Sequence, residues 1–136
     1  WQLAVVLMAV PKQARESSPT LKMLHQEARS ISDDFSKRAA REGLAQWTPA
    51  DIALGLAADV GDLAKLVQQR SGLRPGTVTD AALSDELADC LWSVLVLAEA
   101  YGIDLGSSMR ELRQRVRSTT EQTVTTTTDS RAVELC

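Results

Sequence analysis

The chain has 136 residues, enough for one domain with a core of its own. Its net charge of −3 offers no basic surface for nucleic acid, and its hydrophobic and charged fractions are those of an ordinary soluble protein. Two cysteines, Cys90 and Cys136, exclude a disulfide-stapled scaffold and suit a reduced, cytoplasmic protein.

Few β-branched runs precede the C-terminal segment, and the seven glycines and four prolines mark boundaries, so an all-α chain is expected. Leu3 to Val10 is an apolar run broken by Pro11. It is too short to span a bilayer and lacks the basic flank of a secretory signal. Residues 1–18 are therefore expected to be an extension, either a docking element or an artefact of the start site, with no membrane role.

Residues 20–42 read as a first helix, with Leu21, Leu24, Ala28, Ile31 and Phe35 at helical spacing and Gly43 as its stop. Thr48-Pro49 supplies an N-cap followed by proline at the first helical position. A second helix is expected from there to about Arg70, and residues 71–79 carry the signals of a connecting loop. The third helix, Asp80 to Tyr101, ends at Gly102. It is apolar from Cys90 to Ala98 except at Ser93, which places it centrally in a bundle or at a subunit interface. Asp104 can cap a fourth helix from Leu105 to about Arg117. The threonine-rich segment beyond it, 119–136, reads as a poorly ordered tail, leaving one domain over 19–118.

Two acid pairs stand out, Asp59-x-x-Asp62 in the second helix and Glu86-x-x-Asp89 in the third. Residues three apart share a helix face, so each pair points both carboxylates one way. Asp59 and Asp89 are equally far along the chain from residue 74, as are Asp62 and Glu86, and residue 74 lies in the expected loop. An antiparallel hairpin would thus bring the four carboxylates together. Their repulsion makes sense chiefly with a cation among them, and Mg²⁺ favours such oxygen ligands, with Mn²⁺ as a substitute. A cation held there can bind a polyphosphate, and one free carboxylate can act as general base. A di-iron bundle needs Glu-x-x-His motifs, and the lone His25 lies on another helix. Zinc would need a Cys/His cluster that is absent. The competing reading is solvated acids paired with Lys65, Arg70 or Arg74.

The run Ile52-Ala53-Leu54-Gly55-Leu56-Ala57-Ala58-Asp59-Val60-Gly61-Asp62-Leu63 resembles the first signature of the MazG-like all-α nucleotide pyrophosphohydrolases. Asp85-Glu86-Leu87-Ala88-Asp89-Cys90-Leu91-Trp92 resembles their second, and Tyr101-Gly102-Ile103-Asp104-Leu105 is similar to the family's segment C-terminal to that second signature. The similarity spans roughly residues 20 to 117. It implies a four-helix MazG-like bundle around a central antiparallel hairpin, assembled as a homodimer or homotetramer. It also implies Mg²⁺-dependent cleavage of nucleoside triphosphates to a monophosphate and pyrophosphate, serving nucleotide-pool cleaning. Asp59, Asp62, Glu86 and Asp89 would be its metal ligands and catalytic residues. The first signature usually carries glutamates, so Asp59 and Asp62 are each one methylene short, and closer helices or water must fill the gap. Trp47 falls where members often place a residue near the nucleobase, and Ser93 where some carry Tyr. Where members carry Lys and Asn on the fourth helix, this chain has Ser108 and Leu112, leaving Arg110, Arg113 and Arg115 as phosphate partners. Two alternatives accompany this expectation: a catalytically silent oligomerisation or regulatory bundle, and a phosphoribosyl-ATP pyrophosphohydrolase.

Overall fold

The structure is a computed structural model describing residues 19–133, with side chains described through residue 120. The expected extension 1–18, with its apolar run, lies outside the described residues, as does Cys136. Among the described residues there are four helices and no strand: α1 (Leu21–Glu42), α2 (Pro49–Arg70), α3 (Asp80–Ala100) and α4 (Leu105–Val133). No helix among them is long and apolar enough to cross a membrane. The chain divides into two compact units, Trp1–Gln46 and Trp47–Cys136.

The first unit contains α1. Thr20 caps its start by accepting from the Met23 N–H, and Gly43 closes it in the left-handed conformation at φ 68°. Of the expected apolar stripe, Ala28 is buried and Leu24 half-buried, while Ile31 and Phe35 stay exposed. His25 turns its Nδ1 to the Leu21 carbonyl at 3.0 Å, a bond local to its own helix.

The second unit is organised by the antiparallel pair α2 and α3, the helices that pack extensively on each other. A reciprocal capping box starts α2. The Asp51 N–H donates to Thr48 Oγ1 (3.3 Å), and the Thr48 N–H donates to Asp51 Oδ2 (2.8 Å). Donation from the Thr48 hydroxyl and backbone holds the Asp51 carboxyl below its usual range. At the other end, Ser71 to Arg74 fold back onto the carbonyls of Val67, Gln68 and Gln69. Gln69 donates to the Pro75 carbonyl (3.2 Å), and Arg70 pairs with Asp80 across the loop. The last residue of α2 is thereby tied to the first of α3.

The seam between these helices follows alternating steps of three and four residues. On α2 the buried or half-buried positions include Ile52, Leu56, Asp59, Leu63 and Leu66; on α3 they include Leu83, Glu86, Cys90, Ser93 and Leu97. Deep burial is sparse. Ile52, Leu95 and Ala98 are the buried hydrophobic residues of this unit, among the described residues, and Ser93 is buried beside them.

The fourth helix departs from expectation at its end. It begins at the expected cap, with the N–H groups of Gly106 and Ser107 donating to Asp104 Oδ1 at 2.8 and 3.1 Å. Hydroxyl and backbone donation from Ser107 holds the Asp104 carboxyl below its usual range. It then continues past Arg117 to Val133, where the composition suggests an unstructured tail. At the point of continuation, the hydroxyls of Ser118, Thr119 and Thr120 donate to the carbonyls of Gln114, Arg115 and Val116 one turn back. These bonds satisfy the hydroxyls inside the helix rather than in a competing turn.

Replacing Thr48 removes one donor to Asp51 and one acceptor for its N–H. Thr48→Ala is expected to cost about 1 kcal/mol of stability in denaturant unfolding, whereas Thr48→Ser should stay close to the parent. Equal stability of all three proteins would show that the capping box contributes nothing.

Candidate functional site

The acid pairs lie on α2 and α3 as their spacing requires, but the two members of each pair have different surroundings. Asp59 and Glu86 occupy seam positions and are half-buried; Asp62 and Asp89 stand on the rim and are exposed. In an antiparallel pair, a three-residue offset moves both rim acids to the same flank of the seam. The opposite flank carries the exposed apolar side chains Val60 and Val67 of α2 with Leu87, Leu91 and Val94 of α3. The hairpin therefore has an acidic flank and an apolar one.

Electrostatics register this convergence. Burial pushes the Glu86 carboxyl above its ordinary 4.5, and the charges of Asp62, Asp89 and Asp59 push it further, with Lys65 opposing them. Two of those three acids act from α2, across the hairpin. Cys90 belongs to the same neighbourhood, one turn after Glu86. Its thiol is pushed up by burial and then by Asp59, whose effect exceeds those of Glu86 and Asp89 on its own helix. The sequence places Cys90 in an apolar run without connecting it to the acids. Its position one residue from level with Asp59 about the loop centre is the signal that could have done so.

The rim is not a finished cation site. Lys65 Nζ reaches Asp62 Oδ1 at 2.5 Å, so one of the four carboxylates is already paired. Among the described residues, no group of three His, Cys, Asp or Glu side chains stands close enough to hold a metal ion. The donor set itself suits a hard divalent cation, being all carboxylate on the rim and free of imidazole. The excess negative charge felt by Glu86 is the field such a cation would relieve.

The other candidate residues divide. Trp47, just before the α2 cap, packs edge-to-face on Trp92 with ring centroids 6.3 Å apart and planes at 65°. It nevertheless remains 61% exposed, so it combines packing with open aromatic surface. Trp92 follows Asp89 by one helical turn. Ser93 is 1% exposed and offers no open surface to a ligand. Arg113 is exposed on α4, and Arg110 on the same helix donates to the Ser107 hydroxyl at 2.8 Å. Of the basic partners expected for the acids, Lys65 pairs with Asp62, while Arg70 pairs with Asp80 at the loop.

No protein-family model matches this chain, and no curated protein matches it.

The raised proton affinity of Glu86 has a direct consequence for stability. The folded chain holds this proton to higher pH than the unfolded chain, so the contribution favours folding below about 4.5 and is lost as pH rises through the folded value. Glu86→Gln should therefore raise the thermal midpoint near neutral pH and change it little near pH 4, where both states carry the proton. Equal shifts at the two pH values would overturn the repulsion account.

Proposed function

We propose that this chain is a Mg²⁺-dependent nucleotide pyrophosphohydrolase that converts nucleoside triphosphates to monophosphates and pyrophosphate. One observation carries the reading: acid pairs from two antiparallel helices meet about one seam closely enough that α2 carboxylates raise the pKa of Glu86 on α3. The signature-like runs around both pairs are the second support. Uncompensated acids in a helix seam oppose folding, so their presence calls for a cation.

When bound, Mg²⁺ would neutralise polyphosphate charge and acidify a water. Asp59 and Glu86 would offer oxygens whose directions the seam restrains, and Asp62 and Asp89 would reach inward from the rim. A carboxylate left free of the cation would take the proton of the attacking water. The open face of Trp47 would stack on the nucleobase, and the Arg113 guanidinium would grip phosphate oxygens. Ser93 would support the seam beside Asp89 rather than meet substrate directly.

Assembly as a homodimer or homotetramer completes this reading. The apolar flank of Val60, Val67, Leu87, Leu91 and Val94 is exposed, and a second hairpin laid against it would turn two helices into a four-helix bundle. The catalytically silent bundle is the second reading. It is favoured by the Lys65–Asp62 pair, which already meets part of the charge.

The test is incubation with Mg²⁺ and a panel of ribo- and deoxyribonucleoside triphosphates plus phosphoribosyl-ATP. The expected products are a monophosphate and pyrophosphate. Glu86→Gln and Asp89→Asn should each lower turnover by at least about 100-fold while keeping helical content. A folded protein that turns over no member of the panel is the silent bundle. Selective cleavage of phosphoribosyl-ATP would reassign the substrate.

A further inference from the structure

We propose that Lys65 is an exchangeable internal counter-ion of the acid pairs, holding Asp62 until an entering divalent cation takes that carboxylate over. This rests on the reading of the four acids as a cation site, and concerns how that site is kept before loading. Lys65 and Asp62 lie three residues apart on α2, with Nζ 2.5 Å from Oδ1. Both are on the rim, with side chains 50% and 54% exposed, so solvent and ions reach the pair. The seam acids Asp59 and Glu86, by contrast, are half-buried.

Three features make the exchange physically reasonable. Lysine is a point charge on a flexible four-carbon stem and can leave one oxygen without disturbing the backbone. An exposed ion pair at this spacing is weakly held. Lys65 is also felt by Glu86 across the seam, where it opposes the three acids, so its charge acts on the whole cluster. With Asp62 paired to Lys65, no three of the acids stand ready for a metal among the described residues. Release of Asp62 is the local side-chain change that would add a free carboxylate to the other three. Lys65 is thus a positioning residue, acting on the cation through Asp62.

Calorimetric titration with Mg²⁺ alone, without nucleotide, tests the proposal on the full chain. Lys65→Met should bind Mg²⁺ about two- to fivefold more tightly than the parent, the range expected for loss of an exposed pair that the cation must otherwise break. Lys65→Arg, which keeps the charge and the pairing distance, should stay near the parent. In an Asp62→Asn background the gain from Lys65→Met should vanish, because the competition is for that carboxylate. Equal affinities of parent and Lys65→Met overturn the proposal, and so does a gain that persists undiminished with Asp62→Asn. If the parent binds Mg²⁺ in either of those cases, the cation site survives without the exchange. Absence of Mg²⁺ binding in every variant overturns both.

Discussion

Two carboxylates in a helix seam are the constraint on which the rest of this structure depends. Between α2 and α3 the facing positions are otherwise filled by Ile, Leu, Cys and Ser, and packing there is what joins the helices. Asp59 and Glu86 interrupt that seam with charge. Each loses part of its hydration while facing acids of the other helix, an arrangement that weakens the pairing of the helices. What holds the pair together must therefore lie on either side of the acids. The leucines Leu56, Leu63, Leu66, Leu83 and Leu97 do so within the seam, and the loop clasp of Arg70 with Asp80 does so at its end.

This accounts for the uneven character of the hairpin's surface. Moving one turn from a seam acid reaches a rim acid, so the charge spreads to one flank and leaves the other apolar. The acid flank faces outward with one lysine in attendance. The apolar flank presents Val60, Val67, Leu87, Leu91 and Val94 to solvent. A domain with so few buried hydrophobic side chains is thinly stabilised by its own packing, since burial is the main favourable contribution to folding. Cation binding on one flank and self-association on the other would each supply part of the missing stability. The two are coupled through the same seam, because both favour the same α2–α3 pairing.

Helix positions were legible because their signals are local. Thr48-Pro49 and Asp51 specify a start through a capping box that needs no distant contact, and Gly43 specifies a stop through its own backbone. The antiparallel placement of the acids was legible too, since two pairs equidistant from a turn can face each other only in a hairpin. The end of α4 was not. Threonine is a poor helix former by propensity, and only the bonds from Ser118, Thr119 and Thr120 to carbonyls one turn back explain a helix that continues through them.

Spacing along the chain by itself determined which carboxylates meet, because helical periodicity and a single short loop leave one register for the two pairs. Tertiary structure decided what each carboxylate does there. It put Asp59 and Glu86 in the seam and Asp62 and Asp89 on the rim, a difference set by which side of each helix packs rather than by the acid's identity. It brought Cys90 under the influence of Asp59, and it let Lys65 rather than Arg70 claim Asp62. Arg70 was drawn instead to Asp80, because the loop turns the end of α2 toward the start of α3. The acid pairs are written in the sequence, and their burial and partners are properties of two helices packed together.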